Sequence, residues 1–322
     1  MFRWEKKGVI FNPIEIEDRP QWMFEYAQAP CVLKFADFIR VYFSCRPTRD
    51  CNGQCVSYSA YVDLDRKDLF KIVNLAQKPI LELGERGCFD EFGIYPISVI
   101  RDGDDVRAYY TGHTRCESVP FDTAIGLAIS KDYGQIFERV GRGPVLSSSL
   151  DEPFVLSGPK IRKFNEMYYL FYITGKKWIE ANGRKEVVYK IRMAISKDGI
   201  SWNKLNKNII EEKWGDHEVQ ASPDVFFNNG KYHMFFCYML TPDFRYDKQK
   251  SYRIGYASSV DLINWERDDS KAGIDVSQAG FDNEMIAYPH VFELDGKIYM
   301  LYLGNEVGRY GFALAELRGE LD

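Results

Sequence analysis

The sequence lacks the features that mark membrane and secreted proteins. No apolar stretch approaches the roughly 20 residues that a membrane-spanning helix needs, and the segment Met1–Lys7 has no apolar core of the kind found in signal peptides. There is no Asn-x-Ser/Thr acceptor for glycosylation, and the seven cysteines are an odd number spread along the chain, whereas a disulfide scaffold carries an even set. We therefore expect a cytoplasmic protein with free thiols and no membrane partner.

The motifs of nucleotide, phosphate and metal chemistry are also missing. The chain has no Gly-x-Gly-x-x-Gly after a strand, no Gly-x-x-x-x-Gly-Lys-Ser/Thr, no His-Glu-x-x-His and no Gly-x-Ser-x-Gly. Four histidines are few for a metal site, and the alternative of a metal clip made by Cys45, Cys51 and Cys55 has no histidine beside it. A net charge of -5 disfavours nucleic acid as a partner. We predict no metal and no cofactor.

What the sequence does contain is a repeat. Its 322 residues are 45% hydrophobic and 28% charged, a balance typical of a folded chain with a large core. Five similar segments, spaced 63 to 66 residues apart, begin at Pro30, Pro96, Pro159, Pro223 and Pro289. Thirteen residues after each proline stands an aromatic residue, namely Phe43, Tyr109, Tyr172, Phe236 or Tyr302. A fixed period of this length indicates a repeat architecture.

Each repeat has the pattern of four short strands. A run of branched and aromatic residues follows each proline, and in three repeats Asp-Gly or Asn-Gly then predicts a hairpin turn. A third strand follows, and an aromatic residue (Phe137, Trp202 or Trp265) opens a short outer strand. Five such units predict an all-β, five-bladed β-propeller that forms a single domain over residues 1–322. The fifth repeat lacks its outer strand, and Val9–Phe11 is expected to supply it and close the ring.

Carboxylates precede the proline of every repeat. Glutamate stands five residues before the proline in four repeats, and Asp151-Glu152 lies slightly earlier in the third. We expect these acids to meet around the central channel, where carboxylates in different environments provide the acid and the base of glycosidic cleavage. The candidate catalytic carboxylates are Glu218 and Asp282, with Glu91 and Glu152 tuning pKa values or binding hydroxyls. The alternative is that each acid caps its own turn by accepting backbone N–H bonds.

Other polar and aromatic residues stand at positions that predict contact with a ligand. Some lie one residue after the inner-strand proline, and others follow the second strand of a repeat. The candidate substrate-binding residues are Arg46, His113, Arg115, Lys160, Trp178, Asp224, His290 and Asn305. If Arg46, Arg115 and Lys160 converge, the expected ligand is an acidic or phosphorylated sugar.

The sequence resembles the five-bladed propellers of glycoside hydrolase families 43, 32 and 130. The similar segments are the inner strands that begin at the repeated prolines, and the segments Ala194–Trp202 and Tyr252–Trp265. More narrowly, Glu152-Pro-Phe, Glu218-Val-Gln-Ala, Phe236-Cys-Tyr, Tyr288-Pro-His and Gly304-Asn-Glu-Val-Gly-Arg resemble a group of propeller proteins associated with surface-polysaccharide gene sets. This resemblance implies a glycosidase that acts on a carbohydrate or a sugar conjugate.

The chain departs from the family pattern at the acid and base positions. Family 43 enzymes carry Asp immediately before one inner-strand proline and Glu two residues before another. Here the residues immediately before the prolines are Ala29, Tyr95, Gly158, Ser222 and Tyr288, and those two before are Gln28, Ile94, Ser157, Ala221 and Ala287. The alternatives to a glycosidase are a non-catalytic carbohydrate-binding propeller and a glycosyltransferase or phosphorylase of polysaccharide metabolism.

Overall fold

A computed structural model describes residues 2–51, 53–54 and 56–321. In these residues the strands form five antiparallel sheets of four strands each. The innermost strand of each sheet contacts the innermost strand of the next, and the fifth contacts the first. The predicted five-bladed propeller is therefore confirmed.

The first three blades follow the chain from the inner strand to the outer one. Blade I consists of β2 (Glu25–Lys34), β3 (Phe38–Arg46), β4 (Tyr58–Asp65) and β5 (Ile72–Leu75). Blade II consists of β6 (Ile94–Asp102), β7 (Asp105–Arg115), β8 (Phe121–Ser130) and β9 (Glu138–Arg139). Blade III consists of β10 (Leu156–Phe164), β11 (Met167–Ala181), β12 (Arg184–Ser196) and β13 (Asn203–Lys204).

The last two blades complete the ring. Blade IV consists of β14 (Glu218–Asn228), β15 (Lys231–Leu240), β16 (Arg253–Ser259) and β17 (Glu266–Arg267). Blade V consists of β18 (Ala287–Leu294), β19 (Lys297–Leu303), β20 (Phe312–Arg318) and β1 (Arg3–Phe11). Because β1 pairs with β20 as the outer strand of blade V, the expected closure by the N-terminal segment is confirmed. This closure leaves the ring without an unpaired gap between its ends.

Helical structure is confined to short turns. Three 3₁₀ turns span Pro13–Glu15, Gln21–Met23 and Asp269–Lys271, and a single helical turn spans Asn305–Gly308. Among the described residues, no helix has the length and apolarity to cross a bilayer.

The hairpins have the turn chemistry that the sequence predicts. In blades IV and V, the central residues of the turn between the first two strands are Asn229-Gly230 and Asp295-Gly296, and all four have positive φ. This conformation matches the right-handed twist of the flanking strands and favours Asn, Asp and Gly. The aromatic residues thirteen positions after each proline are fully or almost fully buried. Burying each such ring contributes about 1.5–3 kcal/mol to folding.

The start of each inner strand is bulged. Register shifts separate the inner strand from its neighbour at the proline of every blade. The residue before the proline has positive φ in four blades, at Ala29, Gly158, Ser222 and Tyr288. A bulge bends the strand and redirects the side chain at that position. These bulges place the residues before the prolines at one end of the propeller axis, where a cavity lined by all five blades lies.

Candidate functional site

The central cavity opens at the end of the propeller where the inner strands begin. Its volume is about 480 Å³, and all five blades contribute to its wall. The residues just before the inner-strand prolines form its base, and the connections after the second strands of blades I and II form its rim. Concave sites of this size, with a few polar groups among aromatic side chains, are typical of small-molecule binding sites.

Three arginines face this cavity. Arg46, Arg49 and Arg115 all line it, and none has an ion pair with a carboxylate in the part of the chain that the structure describes. The Arg46 guanidinium lies 4.7 Å from the Tyr26 ring centroid and 5.7 Å from that of Tyr95, and its Nε donates to the Ser57 hydroxyl. Because their positive charges are not neutralised by neighbouring acids, these guanidinium groups favour an anion.

Tyrosines form another part of the wall. Tyr95, Tyr189, Tyr252 and Tyr288 line the cavity, and the Tyr95 hydroxyl donates to the Tyr288 hydroxyl at 2.7 Å. Burial raises the pKa of Tyr95 to about 12 and the pKa of Tyr288 well above its usual value. These hydroxyls therefore keep their protons at neutral pH and serve as hydrogen-bond donors.

His113 is neutral in this environment. Burial lowers its pKa to about 4, and the nearby positive charge of Arg46 acts in the same direction. Its Nε2 is 2.9 Å from the Tyr95 carbonyl oxygen, an acceptor, so Nε2 carries the proton and Nδ1 is left as an acceptor. Arg46, His113 and Arg115 are thus the predicted binding residues that the structure brings together in the cavity.

None of the described residues that line the cavity is Asp or Glu. The expectation that the acids before the prolines meet around the channel is therefore wrong. The structure shows a different and repeated arrangement, in which an acid in each of four blades forms an ion pair with a basic residue on the outer strand of its own blade. The pairs are Asp90–Arg139, Glu152–Lys204, Glu218–Arg267 and Asp282–Lys6.

Glu218 shows how complete this pairing is. The residue is fully buried, and its Oε1 lies 2.5 Å from Nη1 of Arg267. Its Oε2 accepts hydrogen bonds from the backbone N–H groups of Lys213 and Trp214, both at 2.8 Å, and Gln220 donates to Oε1 at 2.9 Å. This carboxylate holds the loop before β14 against the outer strand of blade IV.

Two other predicted catalytic acids are engaged in the same way. Glu152 is fully buried, accepts from the Tyr172 hydroxyl at 2.8 Å and lies 2.6 Å from the Lys204 ammonium group. Asp282 is almost fully buried and lies 2.6 Å from the Lys6 ammonium group. Each side chain connects the loop before its inner strand to the outer strand of the same blade.

Glu91 differs from the paired acids but has an equally local role. Its carboxylate accepts a hydrogen bond from the backbone N–H of Gly87 at 2.8 Å, as the alternative of a turn cap predicts. The partly buried Glu284, another acid five residues before a proline, pairs with Lys248 at 2.7 Å.

The sequence also carries a signal for these ion pairs, on the outer strands rather than before the prolines. Each basic partner stands two residues after an aromatic residue at the start of the outer strand: Trp4-x-Lys6, Phe137-x-Arg139, Trp202-x-Lys204 and Trp265-x-Arg267. Side chains two apart on a strand share a face, so the aromatic residue and the cation lie on the same side of the outer strand. The acid before the inner strand and the cation on the outer strand both recur from blade to blade, as structural elements of a repeat do.

A second group of predicted binding residues lies further along the inner strands. Asp224 is fully buried between Arg162, Lys160 and His290, and its Oδ2 accepts the backbone N–H of Val291 at 2.6 Å. Burial alone would raise the pKa of Asp224, but the charges of Arg162 and Lys160 and the bond to His290 outweigh it and hold the pKa well below its usual range. Lys160, Asp224 and His290 thus form a buried cluster on the inner strands of blades III, IV and V.

His290 has a fixed tautomer in this cluster. Its Nε2 accepts the backbone N–H of Val32 at 2.9 Å, so the proton resides on Nδ1, which lies 3.3 Å from Asp224 Oδ1. Burial lowers the pKa of His290 to about 4. The imidazole is therefore neutral in the folded protein at neutral pH.

This shift predicts a pH dependence of stability. Between about pH 6.5 and 4 the unfolded chain binds a proton at His290 and the folded chain does not, so stability falls as the pH falls through that window. From pH 7 to pH 5 the loss from His290 is about 2 kcal/mol. Urea unfolding at both pH values should show His290→Gln losing about 2 kcal/mol less than the unchanged protein. Equal losses in the two proteins would contradict the neutral, buried assignment.

The last two predicted binding residues lie outside the cavity wall. Trp178 contacts Phe121, a wall residue, edge to face at 5.6 Å between ring centroids. Asn305 Oδ1 accepts hydrogen bonds from the backbone N–H groups of Glu284 and Met285, so it caps the loop before β18.

Within the described ranges no group of three or more His, Cys, Asp or Glu side chains is placed to hold a metal. Cys55, one residue of the suggested clip, lies outside those ranges.

The sequence has relatives among known proteins, although no protein-family model matches it. The uncharacterised protein Rv1502 of Mycobacterium tuberculosis (strain ATCC 25618 / H37Rv) is 36% identical over 315 residues, which cover 98% of this chain and 99% of that protein. A β-1,2-mannobiose phosphorylase of Thermoanaerobacter sp. (strain X514) is 26% identical over 178 residues, which cover 52% of this chain and 54% of the phosphorylase.

Solved structures share the architecture. A protein described as a glycoside hydrolase aligns with a TM-score of 0.75 at 16% identity and covers 98% of this chain and 92% of its own. A thermostable family-43 glycoside hydrolase aligns with a TM-score of 0.64 at 15% identity, over 90% of this chain and 88% of its own. At these identities the similarity establishes the fold alone, a five-bladed propeller.

Proposed function

Since the chain belongs to the same protein family as Rv1502 of Mycobacterium tuberculosis and has the propeller fold of glycoside hydrolases, we propose that it binds an anionic saccharide in its central cavity. The observation that carries this proposal is the composition of the cavity wall, which has three arginines without ion-pair partners and no carboxylate among its described residues. The ligand class is a sugar that bears a phosphate or a carboxylate.

Each part of the cavity has a role in this function. The guanidinium groups of Arg46 and Arg115 bind the anionic group, for which a planar fork of N–H donors is well suited. The tyrosine rings and protonated hydroxyls pack against and donate to the sugar ring. The neutral His113 offers Nδ1 as an acceptor for a sugar hydroxyl.

Hydrolysis by two carboxylates has little support from this geometry. Both retaining and inverting glycosidases use a pair of carboxyl groups that flank the scissile bond. Here Glu218 and Asp282, the acids predicted for that task, are buried in ion pairs with Arg267 and Lys6. Glycosidase activity through these residues is therefore not part of the proposal.

Phosphorolysis is the second candidate, favoured by the similarity to a β-1,2-mannobiose phosphorylase. In this reaction a phosphate oxygen bonds to the anomeric carbon as the glycosidic C–O bond breaks, and the leaving oxygen takes a proton from a donor in the cavity. Phosphate then replaces the nucleophilic carboxylate. The arginines would hold the phosphate, and the tyrosine hydroxyls, kept protonated by burial, are the available donors.

Calorimetric titration with three related sugars tests the proposal. Glucose, glucose 1-phosphate and glucuronic acid share a ring and differ in charge. We expect at least one of the two anionic sugars to bind about tenfold or more tightly than glucose, because charge-assisted hydrogen bonds add about 1.5–3 kcal/mol. The preference should shrink as salt is raised. Equal binding of all three sugars, or binding of none, would contradict the proposal.

Turnover distinguishes the two candidate functions. Incubation of the protein with β-1,2-mannobiose and inorganic phosphate, followed by detection of a sugar 1-phosphate, reports phosphorolysis. Release of free mannose alone reports hydrolysis and would contradict the assignment of the buried acids to structure. Binding of an anionic sugar without either product supports a binding protein.

A further inference from the structure

A second cleft lies beside the central cavity on the same end of blade IV. Its volume is about 610 Å³, and Trp214, residues 249–251, residues 269–270 and residues 273–275 contribute to its wall. Ser251 and Arg253 line this cleft, whereas Tyr252 between them lines the central cavity. The cleft and the central cavity are therefore neighbours, with the chain at Tyr252 between them.

An aromatic platform forms one wall of the cleft. The rings of Trp214 and Tyr238 are parallel within 9°, with their centroids 6.3 Å apart. Trp214 is 55% exposed and lines the cleft. Its ring is therefore available to pack against a ligand in the cleft.

The buried Glu218–Arg267 ion pair of blade IV contacts both residues of this platform. The backbone N–H of Trp214 donates to Glu218 at 2.8 Å, and the Arg267 guanidinium, paired with Glu218, lies 5.1 Å from the Tyr238 ring centroid. Lys213 donates from its ammonium group to the Arg267 carbonyl oxygen at 2.8 Å. The charges of Glu218 and Arg267 thus position the two rings that border the cleft.

The polar groups of the cleft suit an uncharged ligand. Asp269 shares Arg267 with Glu218, Asp275 pairs with Arg253 and Lys250 with Asp243, so each charged residue of the cleft has an ion-pair partner, unlike the arginines of the central cavity. The buried Ser251 hydroxyl has no hydrogen-bond partner among the described residues. Paired charges, hydroxyls and a flat aromatic face together match the alternating polar and apolar surfaces of a neutral sugar ring.

We propose that the cleft binds neutral sugar units linked to the anionic unit in the central cavity, so that the ligand is an oligosaccharide with one charged unit. This inference rests on the proposed function and extends it from a monosaccharide to a chain. Trp214 and Tyr238 bind the second unit. The segment Ser251–Arg253 lies between the first and second units.

The test compares charged disaccharides with their charged monosaccharides. Maltose 1-phosphate carries its charge at one end of the disaccharide, and cellobiouronic acid carries it at the other. We expect calorimetry to show that at least one of them binds about tenfold more tightly than glucose 1-phosphate or glucuronic acid respectively, a gain of about 1.4 kcal/mol. Trp214→Ala should remove this gain and leave the affinity for the monosaccharide unchanged, and Trp214→Phe should keep most of it.

Phe70→Ala is the matched control, because Phe70 is 50% exposed, lies in blade I and borders neither cavity. Thermal unfolding of each variant verifies that it folds. Binding of the monosaccharides without any gain for either disaccharide, or a gain that persists in Trp214→Ala, would overturn this inference and leave the proposed function standing. Binding of no member of the series would overturn both.

Discussion

Replacing Arg267 by methionine is expected to lower the free energy of unfolding by about 3–5 kcal/mol, because the change leaves a buried carboxylate without its partner. The Glu218 side chain is completely inaccessible to solvent, and Arg267 is the basic residue that pairs with it. Urea unfolding at neutral pH measures the loss. The same result is expected, for the same reason, from replacing Arg139 beside Asp90.

A double variant separates this structural role from a catalytic one. Arg267→Met combined with Glu218→Leu removes both charges, and such replacement of a buried ion pair by apolar residues is often close to neutral for stability. Asp269 also pairs with Arg267 and keeps its charge in this variant, but its side chain is partly exposed, so we expect the double variant to recover part of the stability that Arg267→Met loses. If Glu218→Gln instead leaves stability unchanged and abolishes turnover of a substrate, Glu218 is a catalytic acid and the structural account of the four pairs is wrong.

Replacing Arg46 and Arg115 together by glutamine is expected to weaken binding of the preferred anionic sugar about hundredfold, since each charge-assisted hydrogen bond contributes about 1.5–3 kcal/mol. Affinity for glucose should change little. Neither arginine has an ion pair among the described residues, so stability should fall by only about 1 kcal/mol or less from lost contacts with aromatic rings. Calorimetry and urea unfolding measure the two quantities.

The control is Arg86→Gln combined with Arg184→Gln. Both arginines are exposed, neither lines the central cavity, and the pair of substitutions removes the same net charge. If the control keeps its affinity for the anionic sugar and Arg46→Gln/Arg115→Gln loses most of it, the loss is due to the site. Equal losses in the two double variants would assign it to the overall charge of the protein and contradict the proposed site.

The architecture could be predicted from the sequence because every blade repeats the same local chemistry. Gly230 and Gly296 follow Asn or Asp in turns that need positive φ, and the aromatic residues thirteen positions after each proline are buried in each sheet. Closure by β1 was also predictable, since the fifth repeat ends without an outer strand. These signals are local in the chain, and a repeat presents each of them several times.

The role of the acids could not be predicted from their own spacing. A carboxylate at a fixed distance from the inner strand is compatible with a channel-facing acid and with a buried ion pair. The choice depends on the partner, and Lys6 is 276 residues from Asp282 along the chain although their side chains are 2.6 Å apart. The aromatic-x-basic pattern of the outer strands is the signal that distinguishes the two cases.

The cavity wall was predicted only in part. Arg46, His113 and Arg115 stand at the ends of second strands and could be expected at one end of the propeller. Tyr95 and Tyr288 come immediately before inner-strand prolines, and in the sequence they are noticeable only as departures from the family 43 pattern. Tyr189 is contributed by β12, at a position that no motif marks. The condition for an anionic sugar, that Arg46, Arg115 and Lys160 converge, is met only in part. Arg46 and Arg115 share the cavity, while Lys160 belongs to the buried cluster with Asp224 and His290.

We expect an anion to bind in the propeller's central cavity, at the arginines of blades I and II. A crystal structure of the protein with tungstate, a phosphate analogue that anomalous scattering locates without bias, tests this directly. We expect tungstate in the central cavity, with its oxygens at hydrogen-bond distance from Arg46 and Arg115. Tungstate bound only at other surfaces, with the cavity holding none, would contradict it.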